Sequence, residues 1–150
     1  MEPETIGFNF QLSEVSAAIG RLQLKELPKW NEQRNQNAQL YTKLLTDIPE
    51  VQTPVVLDEC YHAFLHYVPK VKNRDALYDY LQKQGIDAHI TYKKLPHLGK
   101  FYRERFGFKE GAFPLSEQLT NEIICLPINP LVTEEQIHYV ADSIRTFYKS

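Results

Sequence analysis

The stretch from Gly7 to Leu27, GFNFQLSEVSAAIGRLQLKEL, constrains the fold of this chain more than any other segment. Its second part is a predicted helix that begins after Ser13, because a serine hydroxyl can accept from a free N–H of the first helical turn. Apolar residues recur at i, i+3, i+4 and i+7, which is the spacing of one helix face. They are Val15, Ala18, Ile19 and Leu22. Asn9, between Phe8 and Phe10 just before this helix, is typical of a positioned group rather than a random loop.

Length and composition exclude several classes of protein. A chain of 150 residues forms one domain, or one domain plus an appendage, and it can bury a real core, since a chain of this size hides roughly two-thirds of its unfolded surface. The net charge of −2 gives no basic excess for nucleic acid. The two cysteines, Cys60 and Cys125, lie far apart without a CxxC motif, which favours a reducing cytosol over a disulfide scaffold or structural zinc. No apolar run approaches the roughly 18 residues that cross a bilayer. We therefore expect a cytoplasmic protein that binds neither nucleic acid nor membrane.

The first residues, MEPETIGFNF, lack the basic start and the long apolar run of a signal peptide. The first ordered element follows at once, with no strand before it. This pattern predicts that the sequence begins inside a longer chain.

The order of patterns predicts a small α+β fold. Two long N-terminal helices, separated at Pro28, are expected within residues 1–48, as a linking segment that would pack on a large domain and a dimer partner. The second of them carries a stripe that is polar near its start, so packing against another domain or subunit and packing into the core both stay open. Residues 49–150 are expected to form a small domain whose three-stranded sheet is covered by helices. The predicted strands span residues 61–69, 86–92 and 123–127.

Local signals mark several helix ends. Asn73 is expected to begin a helix, and Gly85 is well placed to end it. Gly107 closes a predicted short helix over residues 98–106. Thr133 and Gln136 have the spacing of a capping box at the start of the last helix.

The histidines are the first candidates for chemistry. His62 and His66 would lie about 13 Å apart on a strand, too far to share one metal ion. Together with His89 and His138 they are typical of polar residues near a surface. His97 follows a strand in a proline-containing loop, where sites tend to lie, so a site role and a structural role stay open.

The loop around His97 offers further candidates. Lys93 and Lys94 would hold an anion or would be solvated loop charges. Tyr92 would be structural or would offer its hydroxyl to a ligand. Cys125, inside an apolar strand, is expected in the core. No residue is predicted to be a catalytic nucleophile or a metal ligand.

Six pieces of the sequence resemble, in the right order, motifs of the DegT/DnrJ-type sugar aminotransferases. The first is the opening stretch, which is similar to the G-[YFM]-N-[YF]-[RK]-[ML]-[ST]-[ED] segment of that family. The others are RxxxAxxY at Arg34–Tyr41, RDxLxxxLxxxGI at Arg74–Ile86, YxPLH at Tyr92–His97, FPxAE at Phe113–Glu117 and LPxxPxLTxEE at Leu126–Gln136. Each piece alone is weak, but the ordered set covers nearly all of the chain and is specific.

The resemblance implies the C-terminal small domain of a fold-type-I enzyme that uses pyridoxal 5′-phosphate (PLP). In the family, the Schiff-base lysine, the aspartate at the pyridine nitrogen and the ring-stacking aromatic all lie upstream. A PLP site needs the amine, the electron-sink partner and a phosphate cradle together. The chain alone is therefore expected to be inactive and not to hold PLP, which would bind in the full-length dimer.

The resemblance also implies roles for three residues. Asn9 matches the family asparagine that reaches the PLP phosphate of the neighbouring subunit, where an amide N–H₂ donates without adding charge. Tyr92 and His97 match loop positions at the mouth of the active site, where the nucleotide sugar lies. Two residues depart from the family pattern: Gln11 replaces the usual Arg or Lys, and Lys93 stands where Pro is more common.

The implied reaction transfers an amino group, usually from glutamate, to a keto-sugar nucleotide in amino-sugar synthesis for cell-surface polysaccharide or secondary metabolites. The implied partners are an upstream large domain or partner chain and a second copy in a homo-oligomer. The alternative is a non-catalytic interaction or regulatory module that kept the small-domain fold. An in-frame large domain upstream, or an adjacent gene that encodes one, would favour the enzyme.

Overall fold

The computed structural model describes residue 7 and residues 10–149. The predicted cofactor-binding residue Asn9 and its neighbour Phe8 lie outside the described residues. The described elements are α1 (Glu14–Leu45), β1 (Val51–Gln52), β2 (Lys70–Val71), α2 (Arg74–Lys83), a 3-10 turn (Pro96–Leu98), α3 (Lys100–Phe106), α4 (Pro114–Glu122) and α5 (Glu134–Lys149).

The prediction of two N-terminal helices is wrong, because α1 is one helix of 32 residues that contains Pro28. Its predicted start is confirmed: the Ser13 hydroxyl accepts from the Ser16 N–H at 3.2 Å. Pro28 removes one hydrogen-bond donor, but the φ of proline is a helical value. The backbone can therefore pass through Pro28 in helical geometry. Tertiary packing, which supplies most helical stability in proteins, anchors the second half of the helix.

The second half of α1 packs against α5 inside the core of the same unit. Tyr41 has no exposed surface; its ring stacks on Tyr67 at 5.0 Å and its hydroxyl donates to the Pro127 carbonyl at 3.0 Å. Asn37 is also buried and donates to the Val132 carbonyl at 3.2 Å. The polar stripe of this helix therefore contacts α5 and the loop before it. The buried residues Ala38, Tyr41 and Leu45 of α1 belong to the same core as buried residues of α2 and α5.

The prediction of a three-stranded sheet is also wrong for the described residues. Their only ladder is the antiparallel pair of β1 with β2, two residues on each side. The predicted strands do lie side by side, but isolated bridges join them: Tyr67 with Leu126, Lys70 with Ile123 and His89 with Cys125. Longer ladders are prevented because Phe64 has a φ of +45° and because Pro69 and Pro127 have no N–H to donate.

The predicted helix ends are largely confirmed. The Gly85 N–H donates to the Gln82 carbonyl and the Ile86 N–H donates to the Leu81 carbonyl, both at 3.0 Å, which is a Schellman motif. Gly85 has a φ of +73°, which favours glycine. Asn73 begins α2 in the left-handed conformation, without a side-chain cap.

The capping box of α5 is present in both directions. The Thr133 N–H donates to the Gln136 Oε1 at 3.0 Å, and the Gln136 N–H donates to the Thr133 Oγ1 at 3.2 Å.

The first half of α1 exposes its apolar face. Val15, Ile19 and Leu22 are 71 %, 56 % and 64 % exposed. Among the described residues, no helix combines the length and the apolar character needed to cross a membrane.

Candidate functional site

A cleft of about 840 Å³ lies between the loop after residue 92, α3, the turn before α4 and α4 itself. Four basic and two acidic side chains line it, so its walls are net positive. They are Lys93, Lys94, Arg103, Lys109, Glu110 and Glu117. A concave surface of one sign of charge concentrates ligands of the opposite sign. The cleft is therefore suited to an anionic ligand.

His97 lies behind one wall of this cleft and is only 8 % exposed. Its ring meets the rings of Phe113 and Phe108 edge-on, with centroids at 4.8 and 6.4 Å. Its Nε2 lies 3.0 Å from Oε1 of Glu117, a residue that does line the cleft. The histidine thus reaches the cleft through a carboxylate rather than directly.

The carboxylate of Glu117 has three hydrogen-bond partners. Its Oε2 accepts from the Gly111 N–H at 2.8 Å, and its Oε1 accepts from the Phe113 N–H at 3.1 Å in addition to His97. These hydrogen bonds hold the pKa of Glu117 below its ordinary value. The bond from Gly111 has the largest effect, followed by the bond from Phe113 and then by the bond with His97. The carboxylate is therefore charged at neutral pH and ties the 97 loop, the 107–113 turn and the start of α4 together.

The local sequence explains this arrangement. Pro114 occupies the first turn of α4, where its missing N–H costs nothing. Glu117 lies one turn further on and reaches back to the free N–H of Phe113. Gly111 adopts a φ of +85° in the turn that directs its own N–H to the same carboxylate.

The hydrogen bond also orients the imidazole of His97. When Nε2 carries the proton and donates to Glu117, Nδ1 of the neutral ring is the acceptor. Held in this way, the imidazole of His97 either accepts a hydrogen bond at Nδ1 in a fixed direction or stabilises a wall of the cleft.

The three predicted site residues meet different outcomes. Asn9 lies outside the described residues. Tyr92 is 59 % exposed and precedes the cleft residue Lys93, but it does not line the cleft. His97 is connected to the cleft through Glu117. Sequence reasoning missed Glu117, whose signal was its place four residues after Phe113 in the FPxAE-like segment.

A second family-like motif has a structural role here. Arg74 is 7 % exposed and donates to the carbonyls of Thr120 and Ile123 at 2.8 and 3.1 Å. Its Nε also contacts the Asp75 carboxylate at 2.6 Å. Arg74 therefore fixes the start of α2 to the end of α4, which forms one wall of the cleft.

The described residues do not form a site that fits PLP. A lysine that forms a Schiff base is commonly activated by burial in an apolar pocket. Every described lysine is exposed except Lys70, which is half-buried and pairs with Glu122 at 3.3 Å. No described lysine therefore has the burial that this activation needs.

Comparison with known proteins gives a consistent result. The sequence profile of the DegT/DnrJ/EryC1/StrS aminotransferase family matches residues 1–145. A pleiotropic regulatory protein of Geobacillus stearothermophilus is 36 % identical over 146 residues. A dTDP-3-amino-3,6-dideoxy-α-D-galactopyranose transaminase of Aneurinibacillus thermoaerophilus is 33 % identical over 141 residues.

Solved structures are similar in fold. The crystal structure of DesV from S. venezuelae, in complex with a ketimine intermediate, superposes with a TM-score of 0.91 at 29 % identity. The match covers 98 % of this chain but 39 % of DesV. The two sequence relatives are likewise covered over 39 % and 38 % of their length. The chain thus spans about two fifths of the proteins that it matches.

Proposed function

This chain belongs to the DegT/DnrJ/EryC1/StrS aminotransferase family, and we propose that it is the C-terminal part of a PLP-dependent aminotransferase that acts on keto-sugar nucleotides. The observation that carries the proposal is the family match, which extends over residues 1–145. Relatives at 33 % and 30 % identity are named as transaminases that yield dTDP-linked amino sugars. The reaction proposed for the complete enzyme is transfer of an amino group, usually from glutamate, in amino-sugar synthesis.

The basic cleft is the proposed contact for the diphosphate of the nucleotide sugar. Lys93, Lys94, Arg103 and Lys109 supply the positive charge along its walls. Arginine and lysine bind phosphate through charge-assisted hydrogen bonds. The exposed Tyr92 is proposed to contact the same substrate at the mouth of the assembled active site, and His97 is proposed to act on that substrate through Glu117.

The remaining machinery is proposed to come from outside this chain. The Schiff-base lysine and the ring-binding residues would be supplied by an upstream large domain or a partner chain. Asn9 would donate to the PLP phosphate of a neighbouring subunit. The exposed apolar face of α1 would be covered by that large domain and by the second subunit of a dimer.

Complementation tests the proposal. The chain is co-expressed with the N-terminal part of the A. thermoaerophilus transaminase, and glutamate-dependent formation of an amino-sugar nucleotide is followed by mass spectrometry. We expect activity only when both parts are present. Borohydride reduction of the chain alone with PLP should leave no stoichiometric adduct. A trapped lysine adduct on this chain alone would contradict the assignment of the Schiff base to another segment.

A direct binding test addresses the cleft. Thymidine diphosphate is titrated into the chain by calorimetry, and the double variant Lys93→Gln, Lys94→Gln is compared with Lys100→Gln. Lys100 is also an exposed lysine, and it lies outside the cleft lining. We expect the double variant to weaken binding several-fold and the control to leave it unchanged.

The second candidate function is a non-catalytic regulatory or interaction module. It is favoured by the relative from G. stearothermophilus, which is named a pleiotropic regulatory protein. This candidate predicts a stable oligomer with no affinity for PLP or for nucleotide diphosphates, and no activity after complementation. The same two experiments therefore separate the two functions.

A further inference from the structure

Two histidines and a cysteine form a cluster on one side of the core. The ligand atoms of His66, His89 and Cys125 all lie within 4.8 Å of one another. The two imidazole rings meet edge-on, with centroids 5.5 Å apart and planes at 79°. The residues come from three separate segments of the chain, so no local sequence motif predicts the cluster.

Backbone pairing explains why the three side chains meet. His89 and Cys125 exchange two hydrogen bonds, the His89 N–H to the Cys125 carbonyl at 3.1 Å and the reverse at 2.9 Å. Residues paired in this way project from the same face. On the other side, Tyr67 pairs with Leu126. His66 and Cys125 each precede one member of this pair, and their ligand atoms lie within 4.8 Å of each other.

One residue of the cluster is buried and the other two are exposed. Cys125 is only 2 % exposed, whereas both histidines are exposed to solvent. The Thr91 hydroxyl lies 3.0 Å from Sγ of Cys125. A hydroxyl at this distance can donate to a thiolate and orient it, as partners behind metal ligands do.

We propose that this cluster binds one Zn²⁺ ion, through the thiolate of Cys125 and one imidazole nitrogen each of His66 and His89. Thiolate and imidazole are the ligands that Zn²⁺ prefers, whereas Mg²⁺ and Ca²⁺ require oxygen ligands. The exposed side of the cluster leaves the fourth tetrahedral position to water. Binding replaces the thiol proton of Cys125 by the metal and releases that proton to the solvent.

The distances are compatible with a metal site after a small adjustment. Zn–N and Zn–S bonds of about 2.1 and 2.3 Å place tetrahedral ligand atoms roughly 3.4–3.6 Å apart. The cluster must therefore contract by about 1 Å at its widest separation, which is 4.8 Å at most. The two histidines are exposed side chains, so side-chain rotation supplies this movement without a change in the core.

Cobalt provides the first experimental readout. The reduced, metal-free chain is titrated with Co²⁺ and followed by absorption spectroscopy. We expect one equivalent of Co²⁺ to produce a sulfur-to-cobalt charge-transfer band in the near ultraviolet and tetrahedral d–d bands in the visible. Cys125→Ser should remove the charge-transfer band, whereas Cys60→Ser, which changes the exposed cysteine, should keep it.

Zinc affinity is then measured by competition with a chromophoric chelator. His66→Gln and His89→Gln change exposed side chains, and each should weaken Zn²⁺ binding at least about tenfold. His138→Gln, an exposed histidine on α5, is the matched control and should leave affinity within about twofold. A cobalt complex without the charge-transfer band would overturn the proposal. So would equal zinc affinity of wild type, His66→Gln and His89→Gln.

Discussion

Glu117 shows how one side chain connects several segments. Folding lowers its pKa, chiefly because the N–H groups of Gly111 and Phe113 donate to the carboxylate. An acid whose pKa is lowered by folding stabilises the folded state above its unfolded pKa, near 4.3, and that contribution is lost as the pH falls through the folded pKa. The folded protein therefore depends on the charge of Glu117 at neutral pH.

We predict that Glu117→Gln lowers the thermal midpoint at pH 7, because the amide is uncharged and can accept through only one oxygen. The difference from wild type should shrink as the pH falls below about 4.3, where the wild-type carboxylate also takes up a proton. Thermal denaturation from pH 7 to pH 3 measures both effects. Glu110→Gln changes an exposed acid in the same turn and is the control. A difference that persists unchanged at pH 3 would contradict this mechanism.

Tyr41 presents a different case, a buried hydroxyl with a single partner. Tyr41→Phe leaves the Pro127 carbonyl without the donor at 3.0 Å. We predict a loss of about 1–2 kcal/mol in the free energy of unfolding, measured by urea denaturation. Tyr139→Phe removes a similar 3.0 Å bond to the Gln84 carbonyl from a residue that is 51 % exposed. Water replaces that partner, so this control should lose much less; equal losses would show that burial is not the cause.

At the scale of elements, local sequence signals predict where helices begin and end, but they do not predict whether a helix continues through a proline. Gly85 and the Thr133–Gln136 pair act through contacts within a few residues, so their spacing in sequence carries the information. The second half of α1 packs against α5, which is distant in sequence, so local patterns around Pro28 do not report this packing. The short ladders end beside a conformation that the sequence does not signal: Phe64, a bulky residue, has a φ of +45°, and its N–H donates to Nδ1 of His62 at 2.8 Å.

We predict that Pro28→Ala strengthens the first half of α1 without stabilising the core. The substitution restores the N–H that can donate to the Leu24 carbonyl and removes a ring that clashes with the preceding turn. The local gain should reach about 3 kcal/mol, seen as slower amide hydrogen exchange over residues 15–27. Urea denaturation of the core should change little, because that half of the helix is exposed. Pro28→Gly is the comparison and should gain about 1 kcal/mol less. Unchanged exchange in the alanine variant would contradict the prediction.

At the scale of the molecule, the sequence predicted the family and the α+β class, but only part of the candidate site. His97 was predicted because a proline-containing loop and a family-like motif mark it. Its partner Glu117 lies 20 residues away, and no periodicity links the two. The basic cleft and the His66, His89 and Cys125 cluster likewise come from separate segments, so their assembly depends on tertiary packing that sequence patterns do not encode.

The exposed apolar face of α1 leads to a prediction about the whole chain in solution. Val15, Ile19 and Leu22 lie on one helix face and are each more than half exposed, and small residues beside them permit close approach. An apolar helix face of this kind pairs with a second copy when no other partner covers it. We predict that the average mass in sedimentation equilibrium rises with concentration, and that Val15→Lys with Ile19→Lys restores the monomer. Val55→Lys, at a position 81 % exposed outside α1, should leave association unchanged. A wild-type chain that stays monomeric at high concentration would refute self-association through this face.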